Sequence, residues 1–306
     1  MTHAGLISDD NLPQLSLLIV NYNAGQLLTD CVAAVLDAPI RLQILIGDNG
    51  SSDDSLSAVR VRFGSDPRLT LVEHGANLGF AAGNNRLLHL AQAPYLLFLN
   101  PDCIVQPDTL ARMLDFIAST PDAGMAGCII RNPDGTEQVA SRRAIPDPWI
   151  GMVQVLRLDR LWPDLTHGKR LNLIDQPLPD RPLPVAAISG SFMLVRRQAL
   201  NEVGALDEGY FLHCEDLDWF VRFSRAGWLI YLVPDVAVIH HKGACSTTRP
   251  LRVEWHKHRG MARFFRKFQR QAHSRPFSLL VLTGIWGHFA LVALLLGIRR
   301  LTGSVR

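Results

Sequence analysis

The first half of the chain alternates short apolar runs with amphipathic stretches, beginning at Leu15. Short apolar runs predict buried strands, and apolar residues spaced three and four positions apart predict helices. Strands that alternate with helices are typical of parallel sheets assembled from βαβ units. This pattern predicts strands over 15–20, 41–47, 69–73 and 95–99. It predicts helices over 26–36, 54–63 and 81–91, and a fourth helix that Pro107 opens at its first position and that ends at Ala118.

The second half of the chain begins with a less regular stretch. Residues 131–184 are rich in Pro and Arg and weakly periodic, which predicts a hairpin followed by a variable insertion or flexible loop. After it, the pattern predicts a strand over 185–195, a helix over 214–226, and strands over 228–233 and 236–240. We therefore expect an α/β fold with a mixed, mostly parallel sheet flanked by helices. Its domain spans 15–246, between a polar tail, 1–14, and a C-terminal region, 247–306.

The C-terminal region combines positive charge with a long apolar segment. Residues 277–298 contain no formally charged side chain and, as a helix, would be roughly 33 Å long, close to the thickness of a bilayer core. Three alternatives fit this segment: a membrane-spanning helix, a re-entrant or interfacial helix, and an ordinary buried helix or oligomer contact. The basic residues before it favour membrane anchoring, and within 249–275 they are opposed only by Glu254. They are Arg249, Arg252, Lys257, Arg259, Arg263, Arg266, Lys267, Arg270 and Arg275, and Arg299 and Arg300 follow the apolar segment.

Composition narrows the class of protein. The formal net charge of +3 gives little electrostatic basis for nucleic-acid binding, so we expect no nucleic-acid partner. The five cysteines are scattered without the paired spacing of a zinc site or a disulfide framework, which indicates a reducing compartment. The N-terminal residues are polar and acidic and lack the apolar core of a secretory signal. We therefore expect the catalytic part of the chain to lie in the cytosol.

Polar residues follow the predicted strands, at the sheet edge where parallel α/β folds bind ligands. Asp48 follows the second strand, where its carboxylate can accept hydrogen bonds from a base or a ribose, although a plain Asx/Gly turn explains it equally well. After the third strand, residues 77–85 place glycines around an aromatic residue and an Asn pair at the start of a helix. Such a helix start can face a phosphate, and its structural alternative is a simple helix cap.

Two further strand ends carry residues suited to a metal ion. Asp102 follows the fourth strand and offers the hard oxygen ligand that Mg²⁺ or Mn²⁺ prefers, although an Asn-Pro turn with a capping Asp is the alternative. His240 and His241 end the last predicted strand, where an imidazole completes a metal site, contacts a phosphate or simply lies at the surface. One carboxylate does not enclose a divalent ion, but Mg²⁺ usually retains water and uses substrate phosphates as ligands.

Three carboxylates open the helix predicted over 214–226, namely Glu215, Asp216 and Asp218. A helix N-terminus stabilises anions, so an acidic first turn is also common in helices without catalytic function. Nearby aromatic residues, including Trp219, offer a surface suited to a sugar or to raising the pKa of a carboxyl group. Positions 216 and 218 do not share one helical face, so we expect only one of these two to point at a reacting centre.

Taken together, these clusters resemble glycosyltransferase family 2, and more narrowly its bacterial rhamnosyltransferase-type members. The resemblance extends from about Leu15 to Ser246, and it is the order of six individually loose motifs that makes it specific. The motifs are Val20-Asn21-Tyr22-Asn23, Asp48-Asn49-Gly50-Ser51-Ser52-Asp53, Asn77-Leu78-Gly79-Phe80-Ala81, Leu99-Asn100-Pro101-Asp102, Ser189-Gly190-Ser191-Phe192-Met193 and Glu215-Asp216-Leu217-Asp218.

The resemblance implies a GT-A fold with a nucleotide-sugar half, 15–130, a variable insertion, 131–184, and an acceptor or catalytic half, 185–246. Asp216 matches the family's catalytic base, and Asp102 matches the metal-binding Asp of its DxD motif, whose first position is Asn100 in this chain. His240 matches the metal-associated His better than its neighbour does, and the implied cofactor is Mg²⁺ or Mn²⁺. The implied donor-binding residues are Asn21, Asp48, Asn77, Gly79 and Asn100, and the implied acceptor or supporting residues are Glu215, Asp218 and Trp219.

The activity implied by this resemblance is an inverting sugar transfer in bacterial cell-surface polysaccharide synthesis. The favoured donor is dTDP-rhamnose, with UDP- and GDP-sugars as alternatives. The expected acceptor is a glycan or a polyprenyl-diphosphate-linked glycan. The C-terminal region favours the lipid-linked form and a place at the cytoplasmic face of the inner membrane. A nucleotidyltransferase is disfavoured because residues 21–25, after the first strand, contain no Lys or Arg. A non-catalytic nucleotide-sugar-binding or membrane scaffold is disfavoured because Asp102, Asp216 and His240 are all present.

Overall fold

A computed structural model of the chain describes residues 12–155, 172–241, 243 and 250–301. Within these ranges the strands form one mixed sheet. The strands are β1 (Leu15–Asn21), β2 (Leu42–Asp48), β3 (Leu69–Glu73), β4 (Tyr95–Leu99), β5 (Cys103–Ile104), β6 (Ala123–Arg131), β7 (Leu183–Pro184), β8 (Phe192–Arg196) and β9 (Leu229–His240). Their order across the sheet is β3-β2-β1-β4-β8-β6-β9-β5, with β7 also paired to β9.

Helices flank this sheet and continue beyond it at the C-terminal end. They are α1 (Gln26–Leu36), α2 (Ser55–Phe63), α3 (Phe80–Leu88), α4 (Thr109–Ser119), α5 (Pro148–Val155), α6 (Arg197–Val203), α7 (Glu215–Arg225), α8 (Pro250–Phe264) and α9 (Arg275–Leu301). A π-helical turn (Phe265–Gln269) and a short 3₁₀ helix (Arg270–Ala272) join α8 to α9. The predicted α/β fold with a mixed sheet and flanking helices is confirmed.

The direction of the strands brings the ends of most of them to one edge of the sheet. Strands β1, β2, β3 and β4 are parallel, and the register places Asn21 beside Asp48 at the ends of β1 and β2. Strand β8 runs antiparallel between β4 and β6, and β9 is parallel to β6, so β6 and β9 end at the same edge as β4. Residues that follow β1, β2, β4, β6 and β9 therefore converge.

Alternating side chains of β1 show how the sheet is buried on both faces. Leu15, Leu17 and Ile19 pack with α1 and α4 in one apolar cluster, and Leu18 packs with α3, α6 and α7 in the other. Both faces are covered, so the strand is almost wholly apolar, as expected for a central parallel strand. The rigid sheet holds the loops at its edge in fixed positions.

Several predicted boundaries in the second half were wrong. The strand predicted over 185–195 forms only at its C-terminal end, as β8 from Phe192, because residues 185–191 connect β8 to β7, which ends at Pro184. The two strands predicted over 228–240 are the single strand β9, in which a register irregularity opposite Cys128 and Ile129 accommodates the break. Strand β6, a buried run rich in Ala and Gly, was not predicted at all.

Some helix starts in the first half differ from the prediction by one or two residues, and part of the insertion is ordered. Helix α4 begins at Thr109 rather than at Pro107, with Asp108 preceding its first turn. In the predicted insertion, an antiparallel bridge between Arg131 and Glu137 forms the expected hairpin-like turn, and α5 follows. Residues 156–171 of that insertion, and the tail over 1–11, lie outside the described residues.

The C-terminal region divides into two helices with different surroundings. Helix α8 buries His258, Gly260, Ala262 and Phe264, and Phe264 joins the apolar cluster beneath α7. In the part of the chain that the structure describes, one helix, Arg275–Arg299, is long and apolar enough to cross a membrane, with mean hydropathy 2.2 and 6% of its apolar stretch buried. Because α9 is largely exposed, the alternative of an ordinary buried helix is wrong.

Candidate functional site

The first cluster of the site joins the ends of β1 and β2. Asn21 donates through Nδ2 to Asp48 Oδ1 (2.7 Å), Ser51 Oγ (3.0 Å) and Ser55 Oγ (2.8 Å). Asp48 also accepts hydrogen bonds from the backbone N–H and the hydroxyl of Ser51, at 2.9 and 2.6 Å. Both side chains are buried, so these bonds hold the Asp48 carboxylate in one orientation at the sheet edge. The structure thus brings together Asn21 and Asp48, two of the predicted donor-binding residues.

The start of α3 differs from the expectation that it faces a phosphate. The first amide of the helix, Phe80 N–H, donates to the Phe211 carbonyl (2.8 Å). The Asn pair is also used inside the protein, because Asn84 donates to the Phe80 carbonyl and Asn85 donates to the Leu206 carbonyl. This helix start therefore holds the loop that precedes α7, and its Asn pair does not present a phosphate site.

Asn77 and Gly79 shape this junction through the backbone. Asn77 Oδ1 accepts a hydrogen bond from Gly79 N–H (3.0 Å), which closes a tight turn before α3. Gly79 has φ +82°, and a Cβ atom there would overlap the Phe211 carbonyl group. Asn49 of the β2 loop donates to the Gly79 carbonyl (3.0 Å). A glycine is required at this position because two backbone segments meet without room for a side chain.

The second cluster joins the ends of β4 and β9. Strand β5 pairs antiparallel with β9 and places Cys103 opposite His240, so the preceding Asp102 meets that histidine. His240 Nε2 lies 3.1 Å from Asp102 Oδ1 and 3.4 Å from Asn100 Nδ2. His241, by contrast, contributes its backbone N–H to the Asp102 carbonyl (2.9 Å). Of the two histidines, it is thus His240 whose side chain meets Asp102 and Asn100.

Gln138 fixes which nitrogen of His240 carries the proton. Its amide nitrogen donates to the His240 carbonyl (3.0 Å) and to Asn132 Oδ1 (2.9 Å), so its oxygen is the atom that meets His240 Nδ1 at 2.7 Å. An amide oxygen only accepts, and therefore Nδ1 donates, so in the neutral imidazole the lone pair lies on Nε2. Hydrogen-bond partners of this kind orient metal-binding histidines in many proteins.

The arrangement of Asp102 and His240 fits a small divalent cation. Asp102 is buried, and its Oδ1 has no hydrogen-bond partner among the described residues, although it faces the Nε2 lone pair. A cation would satisfy both atoms. Two ligands at adjacent positions of an octahedral Mg²⁺ site, with bonds of about 2.1 Å, lie about 3 Å apart, which matches their separation.

Cys103 lies close enough to be grouped with these two side chains. Burial, together with the negative charge of Asp102, raises the pKa of its thiol well above the usual range, and the thiol donates to the Ser191 carbonyl. A protonated thiol is a poor ligand for a hard cation such as Mg²⁺ or Mn²⁺. Cys103 therefore belongs to the core beneath the site.

The third cluster is formed by the acids at the start of α7. Asp216 Oδ2 contacts Arg143 Nη2, and Asp216 Oδ1 accepts from the Leu217 N–H (2.7 Å). Gly190 packs against this carboxylate so closely that a Cβ atom would lie 2.6 Å from Oδ2. His213 and Cys214, just before the helix, both adopt positive φ values of 67° and 71°, a strained conformation for residues with side chains. This bend in the backbone at His213 and Cys214 places Asp216 against residues 189–191.

Glu215 is a buried acid, and it forms no ion pair with a residue that the structure describes. Burial, and next the charge of Asp216, raise the pKa of Glu215 to about 8. Its Oε2 has no hydrogen-bond partner among the described residues. At neutral pH this side chain therefore favours its protonated form.

Asp218 and Trp219 lie away from the acceptor side. Asp218 is fully buried and accepts from Arg222 Nε (2.8 Å) and Lys267 Nζ (2.6 Å). Trp219 is also fully buried, packs edge-on against Phe98 and donates to the Gly204 carbonyl. Both side chains are buried away from solvent, so of the two roles expected for them, acceptor binding or support, this geometry fits support. The expectation that only one of the acids at 216 and 218 faces the site agrees with this geometry.

A chain of contacts connects the second and third clusters. Gly190 touches Asp216, and the carbonyl of the next residue, Ser191, accepts from Asn100 N–H (3.0 Å). Asn100 in turn meets His240. The candidate base and the candidate metal ligands therefore line one wall of the sheet edge. Gln138 and Arg143, which support them, were missed because they lie in the stretch interpreted as a variable insertion, where periodicity carried no signal.

Comparisons with known proteins agree with this geometry. A family model described as glycosyl transferase family 2 matches residues 16–204. The N-acetylglucosaminyl-diphospho-decaprenol L-rhamnosyltransferase of Mycobacterium tuberculosis is 34% identical over 249 residues, covering 77% of this chain and 78% of that protein. The rhamnosyltransferase WbbL of Escherichia coli strain K12 is 27% identical over 215 residues, or 63% of this chain and 76% of that protein.

Solved structures show the same fold at low sequence identity. The mannosyltransferase PcManGT from Pyrobaculum calidifontis, in complex with GDP-Man and Mn²⁺, aligns with a TM-score of 0.58 and 17% identity, over 92% of this chain and 75% of that one. GalNAc-T7 with UDP, GalNAc and Mn²⁺ also aligns with a TM-score of 0.58 and 17% identity, over 84% of this chain and 48% of that one. These likenesses confirm the predicted GT-A fold.

Proposed function

This chain belongs to glycosyl transferase family 2, and we propose that it transfers rhamnose from dTDP-rhamnose, with inversion, to a hydroxyl group of a polyprenyl-diphosphate-linked sugar. The chain is a glycosyltransferase by membership of this family. The rhamnosyl donor is supported by the relatives named as rhamnosyltransferases, and the lipid-linked acceptor by the name of the mycobacterial relative. The nucleotidyltransferase alternative is set aside by the same membership.

The observation that carries the mechanism is the position of Asp216 at the start of α7. Its carboxylate is held at the sheet edge beside Gly190, and the contacts of Ser191 with Asn100 and of Asn100 with His240 connect this position to the Asp102–His240 pair. In the proposed step, Asp216 takes the proton of the acceptor hydroxyl as that oxygen bonds to the anomeric carbon. The bond from the anomeric carbon to the diphosphate oxygen breaks, and its electron pair leaves with the nucleoside diphosphate. With a single base, the acceptor oxygen attacks from the side opposite the leaving group, and this one displacement inverts the anomeric carbon.

The donor is assigned to the edge formed by β1, β2 and β4. Asn21 and Ser51 hold the Asp48 carboxylate where a base or ribose can donate to it, and Asn100 lies beside His240. Asp102 and His240 are the residues that would hold Mg²⁺ or Mn²⁺. When bound, such a cation supplies positive charge to the departing diphosphate.

The C-terminal helices support a membrane location for the acceptor. Helix α9 exposes apolar side chains, and the basic residues on and after α8 include several that are solvent-exposed. Charge of this kind beside an apolar helix attracts anionic lipid headgroups. We therefore propose that the enzyme works at a membrane surface, on its cytoplasmic side. The exposed basic residues of this region include Arg252, Arg259, Arg266, Arg270 and Arg275.

The experiment that tests the function combines a donor panel with one substitution. Purified protein is assayed with dTDP-rhamnose, UDP-sugars and GDP-sugars on N-acetylglucosaminyl-diphospho-polyprenol, with Mn²⁺ or Mg²⁺ present. We expect transfer from dTDP-rhamnose and a loss of about 10²–10⁴-fold in kcat for Asp216→Asn, because positioned base catalysis contributes that range. Donor binding, followed by thermal shift, should be unchanged because Asp216 acts on the acceptor.

A matched control is Asp115→Asn, which removes an exposed carboxylate on α4. This variant should keep wild-type activity. If Asp216→Asn retained kcat within a few-fold of wild type, the assignment of the base would be wrong. Transfer from a UDP- or GDP-sugar instead of dTDP-rhamnose would reject the donor and leave the base assignment intact.

A further inference from the structure

Two adjacent arginines after β6 point in opposite directions. Arg142 is buried and forms a two-pronged ion pair with Glu137, at 2.8 and 2.9 Å. Its guanidinium also donates to three backbone carbonyls, those of Ile174, Gln176 and Pro177. Arg142 therefore connects residues 137–143 to residues 174–177. This holds in place the backbone from which Arg143 projects.

Arg143 leaves that backbone on the opposite side, as successive residues of an extended chain do. Its Nη2 contacts Asp216 Oδ2, and its Nε donates to the Ile188 carbonyl (3.1 Å). The guanidinium also lies 5.8 Å from the centre of the Phe220 ring. The side chains of Arg143 and Asp216 are 20% and 11% exposed, so little water screens their interaction.

We propose that Arg143 is a positioning residue for the reaction, which holds the Asp216 carboxylate ionised and oriented toward the acceptor hydroxyl. The inference rests on the proposed function, in which Asp216 is the base. The Leu217 N–H occupies one side of the carboxylate, Arg143 another, and Gly190 limits the space around it. These contacts leave the carboxylate few orientations.

The charges around Asp216 explain why a cation is needed there. Glu215 lies beside it in a buried environment, and two ionised carboxylates at this position would repel each other. Burial and the charge of Asp216 raise the pKa of Glu215 to about 8, so Glu215 is protonated at neutral pH. The Arg143 guanidinium then balances the one remaining negative charge. Without it, Asp216 would be a buried and uncompensated anion, which favours its protonated, inactive form.

A different role for the same guanidinium makes a different prediction. If Arg143 bound the diphosphate of the acceptor directly, its removal would weaken acceptor binding whether or not the base were present. If it acts through Asp216, its removal would matter only while the carboxylate is there. The two roles are therefore separated by combining substitutions at both positions, since residues that act as a unit are non-additive.

The test uses the full chain with dTDP-rhamnose and N-acetylglucosaminyl-diphospho-polyprenol as probes. Arg143→Gln should lower kcat by about 10-fold or more, leave acceptor KM within a few-fold, and move the acid limb of the pH–kcat profile to higher pH. The direction follows because loss of a neighbouring cation favours the protonated carboxyl group. Arg143→Lys keeps the charge and should recover part of kcat. In the Asp216→Asn background, Arg143→Gln should change the residual rate by less than about 2-fold.

Each opposite result overturns the proposal. An unchanged kcat and pH profile in Arg143→Gln would overturn it. A loss of activity that is equally large in the Asp216→Asn background would also overturn it. So would an effect confined to acceptor KM. Equal loss of activity and melting temperature in both the Lys and Gln variants would identify a purely structural role. Arg112→Gln, which removes an exposed ion pair with Asp235, is the matched control and should behave as wild type. Full activity of Asp216→Asn alone would reject the proposed base independently of Arg143.

Discussion

At the scale of single residues, the doublet His240-His241 separates into two different roles. The side chain of His240 faces Asp102, while His241 holds the same residue through its backbone N–H. Successive side chains of a strand point to opposite faces, so only one of the two can reach the candidate metal position. Gln138 then directs the Nε2 lone pair of His240 at that position. The candidate metal site therefore depends on a residue that is not itself a candidate ligand.

This dependence predicts the effect of two substitutions on metal binding. Calorimetric titration of Mn²⁺ in the presence of dTDP should detect binding to wild-type protein and none to Asp102→Asn. Gln138→Leu should weaken Mn²⁺ binding by about 10–100-fold, because a residue that orients a metal ligand by a hydrogen bond typically contributes that much to metal affinity. Gln198→Leu changes an exposed glutamine that bonds Glu202 and should bind Mn²⁺ normally. Equal Mn²⁺ affinity of Asp102→Asn and wild type would remove Asp102 from the ligand set.

At the scale of elements, α7 is held from behind by the segment that follows α8. Lys267, in the π-helical turn, donates to Asp218 of α7 and to Asp207 of the preceding loop, at 2.6 Å each. Arg263 of α8 also donates to Asp207. Burial alone would raise the pKa of Asp207, but the hydrogen bonds from Lys267 and Arg263 lower it to about 2. The basic stretch is thus partly neutralised by acids distant in sequence.

These contacts predict that Lys267 stabilises the fold. Lys267→Met should lower the free energy of unfolding by about 2 kcal/mol, because it removes one cation from the buried Asp218. The ion pair of Asp218 with Arg222 remains, so the cost is smaller than that of breaking a wholly buried pair. The comparison is Lys257→Met on α8, where a partly exposed pair with Glu254 should contribute about 1 kcal/mol or less. Urea unfolding of the two variants measures the difference. Equal stability of both would show that Lys267 does not hold α7.

At the scale of the whole molecule, the C-terminal region is both part of the core and a candidate membrane contact. Phe264 packs in the cluster that also contains Trp219, and Gly260 lies against the His213 carbonyl and Cys214. Removal of the region after residue 243 would therefore disturb the base as well as any membrane contact. Membrane association needs a test that leaves α8 in place.

Exposed leucines on α9 allow that test. Leu291, Leu294 and Leu295 are 53%, 61% and 49% exposed, and a triple change to Gln should leave the melting temperature unchanged. At about 1.5–3 kcal/mol per buried leucine, partitioning into vesicles should fall by at least about 10³-fold. Flotation with phosphatidylglycerol and phosphatidylethanolamine vesicles measures this loss. Val61→Gln, at an 89% exposed position on α2, is the matched control.

Two results would contradict the membrane prediction for α9. The triple variant would float with vesicles as the wild type does, or the wild type would stay in solution as an oligomer that the triple change dissociates. The second outcome would assign the exposed face of α9 to contacts between copies of the chain. Light scattering alongside the flotation assay distinguishes the two.

The sequence by itself determined the local features of this protein. Periodicity predicted α1 and β4 with their observed bounds, because amphipathic helices and short buried strands are encoded by nearest neighbours in the chain. The order of the motifs likewise predicted the family, which the comparisons confirm. The polar residues after β1, β2 and β4 were predicted to share one edge, since parallel strands end on the same side.

Only the tertiary structure decided which of these residues can act together. Asp102 meets His240 across 138 positions of sequence because β5 pairs with β9, and no local pattern encodes that pairing. Trp219 and Asp218 carry the composition of a binding surface but are buried, because α7 turns that face toward the sheet and the C-terminal segment. Arg143 reaches the candidate base from a stretch without periodicity. Long-range pairing and burial are properties of the packed chain, and they selected the site from the candidates.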